Sequence, residues 1–545
     1  MVLCQRFLIT VICSTFLISS KATGKWSGIV SKNDSCISTM HQEWGRWEKW
    51  GEQPEGYYLN PILPADYSDL DCIKVEEDYY AITSTFQFSP GMTILHSRDL
   101  VNWEICGHAV DDLCQISDQL NYTNMNRYAR GIWAGSIRYH NGRFYVFFGT
   151  PDEGFFMTSA LRPEGPWEPL TPLLKEDGWD DCSAIWDEKG KGYFVGTCFK
   201  DGYKTYIFDM ASDGRSIDKK SGRLIHEGNG REANKLIRHG KWYYLVFSEH
   251  RHGIGRYVMA KRARKITGPY KEEKQLLLPC LEEREPNQGG IIEGPDGNWY
   301  FLTHHGSGDW AGRIMSLLPV AWENGWPMMG TRVGDGIGGM TWAAKMPAKK
   351  GKNIVLQTSD DFSSSVINHQ WQWNYQPRNE MFSLTDRPGW LRLRAFLPLE
   401  KNILKVGNVL TQRVFRTNNN IVTIRLDLQG MEDHQHVGLC HFSKASSSFG
   451  IVKENGQLYL ESSENGSWRR LHEVKGNFIL LRSVWGLDGL SHYAYSMDGN
   501  RFYKEGDVYQ LQWGNYRGDR IGIFTFNDDN ESGYVDVDFF HYEIE

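Results

Sequence analysis

Three carboxylates fall in phase along this chain. Asp69, Asp181 and Glu232 each lie eleven to thirteen residues before the tyrosine of an aromatic pair, at Tyr80, Tyr193 and Tyr244. The same step back from Tyr300 reaches Gln288, and from Tyr145 it lands beside Trp133. Each pair belongs to a recurring phrase of polar turn, aromatic pair and apolar run. It reads EEDYYAITST (76–85), NGRFYVFFGT (141–150), KGKGYFVGT (189–197), HGKWYYLVFSE (239–249) and DGNWYFLTHH (296–305). A single acid in such a place is ordinarily a solvated turn residue. Three acids at one phase of a repeat are aimed at one point.

Converging carboxylates can break a glycosidic bond. One, protonated, gives its proton to the leaving oxygen; another, ionised, activates water or attacks directly. A third anion nearby raises the acid's pKa and orients it, because like charges disfavour ionisation. The competing use is a Ca²⁺ or Mg²⁺ site. The acids come from separate repeats with no DxDxDG-type loop, so catalysis is preferred, no cofactor is expected, and a structural Ca²⁺ is not indicated. Trp133, Phe86 and Phe88 fall on or near the same segments, and aromatic faces pack on sugar rings. For Phe88 a core position competes equally; for Phe86 the pocket is preferred.

The repeat predicts the elements that position these groups. Each phrase is a hairpin signal, a Gly or Asp turn followed by a β-rich run. The units recur every fifty to sixty-five residues or so, the length of a four-stranded propeller blade. Five units across 60–345 predict a five-bladed β-propeller whose first strands line a central axis. A β-sandwich with similar hairpins is the alternative, but sandwich strands do not recur at so long a period.

With these motifs in view, the chain resembles glycoside hydrolase family 43, the β-xylosidases and α-L-arabinofuranosidases. NPILPADYSDLDCIKVEEDYYAITSTFQFSPGMTILHSRDLVNW (60–103) and RGIWAGSIRYHNGRFYVFFGTPDEG (130–154) look like its first two blades. The resemblance puts Asp69 at the general-base position. GWDDCSAIWDEKGKGYFVG (178–196) puts Asp181 at the pKa-modulating position, and GREANKLI (230–237) puts Glu232 at the general-acid position. NQGGIIEGPDGNWYFLTHHG (287–306) and AGRIMSLLPVAWENGWPMMG (311–330) look like the last blade, with Arg313 at a substrate-binding arginine. Phe86, Trp133 and Gln288 complete the expected substrate-binding set. Three departures stand out: Ser68-Asp69-Leu70-Asp71 replaces the usual Pro-Asp-Pro-Ser, Gln288 replaces a pocket His, and Glu232-Ala233-Asn234 replaces Glu-Ala-Pro. These suit a subgroup of mixed activity. Asp66 and Asp71 flank the base, but Asp69 is the one in register. Glu227 is the reserve candidate for the acid.

The resemblance implies an exo-acting, inverting hydrolase releasing terminal α-L-arabinofuranosyl residues from arabinoxylan, arabinan or xyloglucan side chains. β-D-Xylosidase or dual activity is the alternative, and a non-catalytic carbohydrate-binding propeller is a remote one. A net charge of -7 suggests no polyanion partner, and the basic run Lys261–Lys265 reads as a solvated edge. Residues 1–22 read as a signal peptide, with Arg6 before an apolar stretch and a Ser20-Lys21-Ala22 cleavage site, so a periplasmic or secreted protein is expected. No later segment is apolar enough to span a bilayer. Of 10 Cys, Cys4 and Cys13 fall in the leader. The other eight show no CxxC spacing, which argues against zinc, and Cys106 and Cys114 are close enough in sequence to pair.

The propeller segment, 23–345, is followed by a Pro/Lys/Gly-rich linker at 346–354. From 355 to 545 the chain alternates again, as in GWLRLRAF, NIVTIRLDL and YVDVDFFHYEI, with polar turns. That pattern predicts a β-sandwich, and it resembles the concanavalin-like C-terminal domain of the same enzymes. Structural support is its preferred role, a rim for the pocket the other.

Overall fold

The structure, a computed structural model, describes residues 49–228, 230–280, 286–305, 309–348 and 354–544. The leader and Cys36 lie outside them. The described chain is all-β, interrupted only by short 3₁₀ turns.

Five antiparallel sheets, each built on a four-strand meander, account for the repeat. The first comprises Asp71–Val75, Asp78–Thr83, Gly91–Ser97 and Glu104–Val110. The second, third and fourth begin with Gly135–His140, Trp179–Trp186 and Arg231–His239, and the fifth with Pro286–Glu293. The first strands neighbour one another in succession, and that of the fifth sheet lies against that of the first. The strand before the first sheet, Leu63–Asp66, pairs with Ile314–Glu323 of the fifth. Tyr57–Leu59 pairs with Ala343–Lys345. The N-terminal strands are thereby fastened to the far end of the repeat.

The recurring aromatic runs follow from this packing. Phe144–Phe148 shows no polar alternation because its sheet is covered on both faces; all five residues are buried. Phe147 meets Phe194 and Trp186 of the next sheet. Phe148 and Phe144 belong instead to the cluster shared with Ile82 and Ile94 of the sheet before. A one-sided sheet would need polar residues at alternate positions.

The C-terminal region forms two further sheets. One runs from Ser467–Val474 through Gln435–Phe442, Arg520–Asn527 and Leu410–Arg413 to Gln372–Asn374. The other is centred on Tyr534–Ile544, Asn420–Asp427 and Phe478–Trp485. In Phe478–Trp485 the alternation is explicit: Ile479, Leu481, Ser483 and Trp485 are buried, and the residues between are half-buried. The first of these sheets is extended by Phe88–Ser89 from the N-terminal repeat, which pairs with Trp373 and Asn374. One continuous apolar cluster joins Leu63, Leu70 and Ile314 to Trp371, Val422 and Ile523. The two regions thus share a core. Phe88, 0% exposed, lies in their interface. Cys106 and Cys114 are both thiols, not a disulfide.

A buried ionic cluster lies in the C-terminal region. His436 contacts Glu461 (Nδ1–Oε1, 2.8 Å) and Asp528 (Nε2–Oδ2, 3.1 Å) and stacks on Phe526. Burial works against its charge, but hydrogen bonds to Asp528 and Glu461 overcome it and push the imidazole up to about 9. A raised folded-state value stabilises the fold fully below the unfolded value near 6.5, and that contribution disappears as pH rises through about 9. Thermal melts should therefore show a fall in Tm between those limits. His436→Gln should lack that fall and should cost about 3 kcal/mol at pH 6, leaving Glu461 buried without its cation. The same pH slope in both proteins would contradict this.

Candidate active site

The carboxylates sit where regular strand geometry breaks. The first strands of the third, fourth and fifth sheets slip register between Asp180 and Ser183, Glu232 and Lys235, and Pro286 and Gly289. An added residue in one strand of a pair re-aims side chains that regular pleating would send to the sheet faces. Asp69 (φ 58°), Asp181 (φ 52°) and Ala233 (φ 66°) are left-handed, a strained state concentrated at functional positions. Because the first strands are neighbours, irregularities at one level bring their side chains together.

Asp69, 6% exposed, is gripped by a fork. Arg313 Nη1 donates to its Oδ1 at 2.8 Å and Nη2 to its Oδ2 at 3.0 Å. Its backbone N–H donates to His304 Nδ1 at 2.6 Å. Burial raises the carboxyl, but the charge of Arg313, with hydrogen bonds from Ser84 and Arg313, prevails and holds it below its ordinary value. Asp69 is therefore an anion at neutral pH. The flanking acids are engaged elsewhere. Asp71 pairs with Arg138 at 2.6 Å, and Asp66 accepts the backbone N–H groups of Arg313 and Gly518.

Asp181 is the opposite case. Burial, then the charge of Glu232, pushes it up to about 6, with Asp69 adding to the rise. Gln288 Nε2 donates to its Oδ1 at 2.9 Å, so Gln288 orients this acid. Lys235, buried with its ammonium on Gly135 O at 2.5 Å, opposes the rise. Burial, with the adjacent Asp181 charge, also holds Asp180 well up. Glu232 is more open, its side chain 26% exposed, and it pairs with Arg256 on the strand Gly255–Ala263. The cluster thus holds one dedicated anion, one buried acid that titrates near 6, and one accessible carboxyl between an acid and an arginine.

Aromatic residues adjoin this cluster. Trp133 donates its Nε1–H to Ala129 O and meets Tyr516 edge-on at 5.7 Å and Phe199 at 6.3 Å. Phe86 is buried and works through its backbone, exchanging hydrogen bonds with Ile132 next to Trp133. A Cβ at Gly131 would lie 2.4 Å from Phe86 O, so only glycine permits this approach. Tyr516 belongs to the C-terminal region, and its carbonyl accepts from Arg313 Nε at 3.0 Å. Tyr203 lies within electrostatic reach of Glu232, Arg256 and Tyr516. Sequence reasoning missed Tyr516, Phe199, Tyr203, Arg256 and Lys235. Lys235 lies inside the GREANKLI motif and Arg256 on the strand Gly255–Ala263 of the same sheet, but Tyr516 lies outside the repeat, so no spacing pointed to it.

Two outcomes follow from this geometry. Above about pH 6 Asp181 confronts Glu232 as a like charge. Asp181→Asn should therefore shift the alkaline limb of the kcat/KM profile down, on the order of one unit; an unmoved limb in folded protein would show that Asp181 does not act through charge. Tyr516→Ala removes a ring but leaves the carbonyl that holds Arg313. It should raise KM roughly 3- to 10-fold with a smaller change in kcat, and unchanged KM would exclude the ring from the binding surface.

Comparisons with known proteins give the family. Residues 58–327 match the model for glycosyl hydrolases family 43, and residues 359–543 match the β-xylosidase C-terminal concanavalin A-like domain. A β-xylosidase of Formosa agariphila is 32% identical over 91% of this chain and 92% of its own length. The non-reducing end α-L-arabinofuranosidase BoGH43B of Bacteroides ovatus is 27% identical over 62% of this chain and 65% of its own. A solved bifunctional GH43-CE of Bacteroides eggerthii superposes with a TM-score of 0.80 at 28% identity, covering 89% of this chain, which spans 64% of that longer protein. Its likeness implies the propeller-plus-sandwich architecture. By this match to both domains, the chain belongs to glycoside hydrolase family 43.

Proposed function

We propose that this hydrolase is an exo-acting, inverting pentosidase that removes terminal α-L-arabinofuranosyl and β-D-xylosyl residues from plant cell-wall saccharides. The five sheets act as blades of a closed five-bladed propeller over 23–345, joined through 346–354 to the sandwich at 355–545. A cleaved leader at 1–22 would deliver the protein to the periplasm or outside the cell. The observation that carries the reading is the contrast between Asp69, an anion held by Arg313, and the neighbouring acids Asp181 and Glu232.

In the proposed reaction Asp69 takes a proton from water as that water attacks the anomeric carbon. Glu232 gives its proton to the departing oxygen, exchanging its contact with Arg256 for one with the glycosidic bond. Asp181, oriented by Gln288, favours the protonated acid by its own charge. Arg313 leaves a lone pair on each Asp69 oxygen for water, and its position beside Tyr516 lets it meet a sugar hydroxyl. Inversion needs the two reacting carboxyls about 6.5–9.5 Å apart, with water between. Phe86, Trp133 and Gln288 are the proposed substrate-side residues, Phe86 and Gln288 through the groups they position.

The pentose preference rests on two supports. The departures around Asp69, Gln288 and Glu232 suit a mixed activity that includes arabinofuranosides. The β-xylosidase name of the Formosa agariphila relative, matched over nearly its full length, favours xylosides about as well.

Parallel assay on p-nitrophenyl α-L-arabinofuranoside and β-D-xylopyranoside tests the activity, and release of neither pentose would leave only a sugar-binding role. The roles separate by leaving group. Glu232→Ala should lose about 10²–10⁴-fold on oligosaccharides, whose leaving oxygen needs a proton, and far less on dinitrophenyl glycosides. Asp69→Asn should impair both, since water must be activated in either case. Equal losses for Glu232→Ala on both substrates would transfer the acid role, with Glu227 next in line.

A further inference from the structure

We infer that the interface between the two regions holds a small monovalent anion of the halide class, bound by the guanidinium groups of Arg517 and Arg520. Three arginines are buried there: Arg413 is 4% exposed, Arg517 0% and Arg520 3%. Among the described residues, every hydrogen bond that they make goes to a neutral group. Arg413 donates to Asp66 O and Thr93 Oγ1. Arg517 donates to Gly518 O and the Tyr128 hydroxyl. Arg520 donates from one nitrogen only, to Gln372 Oε1.

That leaves donors unfilled. Nε and Nη1 of Arg520 and Nε of Arg517 are buried and have no partner among the described residues. Both guanidinium groups lie over the same Phe88 ring, with their central carbons 4.2 and 4.7 Å from its centroid. The ring face eases part of the charge but accepts no in-plane N–H bond. Two buried carboxylates face this cluster. Asp66 spends its oxygens on the Arg313 and Gly518 N–H groups, and Asp519 Oδ2 meets the Tyr509 hydroxyl and the Gln512 N–H while its Oδ1 lies 3.6 Å from His441 Nδ1. Three guanidinium groups against two carboxylates leave one positive charge uncompensated, and His108, which also faces Arg413 and Arg520, supplies no negative charge. A buried ion left without a counter-charge is strongly unfavourable. A single small anion fills the free N–H groups and balances the excess.

The position has a consequence for the pocket. Arg517 and Arg520 belong to the segment that begins at Tyr516, whose ring faces Trp133 and whose carbonyl holds Arg313. An anion that fixes residues 517–520 fixes the presentation of Tyr516. Its loss should loosen the pocket wall and leave the reacting carboxylates in place.

The test uses the full-length protein exchanged from chloride into gluconate at constant ionic strength, then titrated with chloride or bromide. The inference predicts a saturable rise in Tm of about 2 °C or more with either halide. It also predicts an anomalous bromide peak beside Arg520 in soaked crystals, and a fall in KM on a cleaved aryl pentoside as halide is restored. Arg520→Met should abolish the halide response of Tm. Equal Tm in gluconate and chloride, or a halide response retained in Arg520→Met, would overturn the site. If that variant does not fold, the bromide peak in the unmodified protein decides: a water at the position, without bromide, overturns it. The melting and diffraction readouts do not need activity, so failure of the proposed pentosidase reading stays distinct from failure of the anion site.

Discussion

Arg313 grips both oxygens of Asp69 while it is itself held from three sides. Its backbone N–H is bound by Asp66, its Nε by the Tyr516 carbonyl, and the strand it leads into, Ile314–Glu323, pairs with Leu63–Asp66. A guanidinium–carboxylate fork fixes distance and plane together. Asp69 sits at a left-handed φ, a conformation that persists only where its surroundings over-determine it. Remove the fork and a buried carboxylate loses its cation, which is the costly direction of change. The first strand of the repeat, the last sheet and the C-terminal region all meet at this one interaction. The C-terminal region is therefore part of the site's frame through Tyr516, as well as a partner in the shared core.

The same frame separates the acids. Asp69 is buried beside a cation, Asp181 beside another acid, and Glu232 is the more open of the three. Burial alone would push Asp69 and Asp181 up; the Arg313 charge pulls Asp69 the other way. Pairs of acids driven apart by environment are how one site runs acid and base chemistry together. The strand irregularities at Asp180–Ser183 and Glu232–Lys235 are what allow these side chains to share a centre while their strands remain in separate sheets.

Much of this was legible in the sequence, and the reasons are specific. A repeat carries its phase with it, so Asp69, Asp181, Glu232 and Gln288 could be aligned without coordinates. The aromatic runs announced strands, and the continuous apolarity of Phe144–Phe148 reflects sheets covered on both faces. The C-terminal alternation was equally plain in NIVTIRLDL, which forms the strand Asn420–Asp427. Tyr516 was not legible, because it comes from outside the repeat and reaches the site only through packing between the two regions. Phe88 was ambiguous for the same reason: its strand leaves the repeat to pair with Trp373 and Asn374. Gln288 shares the phase of the carboxylates, but its hydrogen bond to Asp181 depends on side-chain direction at a bulge, which spacing does not encode.

The acid limb of the kcat/KM profile tests the central claim most directly, since it reports the ionisation of the proposed base in the free enzyme. In Arg313→Gln the charge that opposes burial is gone while a hydrogen-bonding side chain remains. The account predicts that the acid limb moves up by about 1–3 units relative to the unmodified enzyme. An acid limb that stays in place in folded Arg313→Gln, whatever happens to kcat, would show that Arg313 does not set the charge of Asp69.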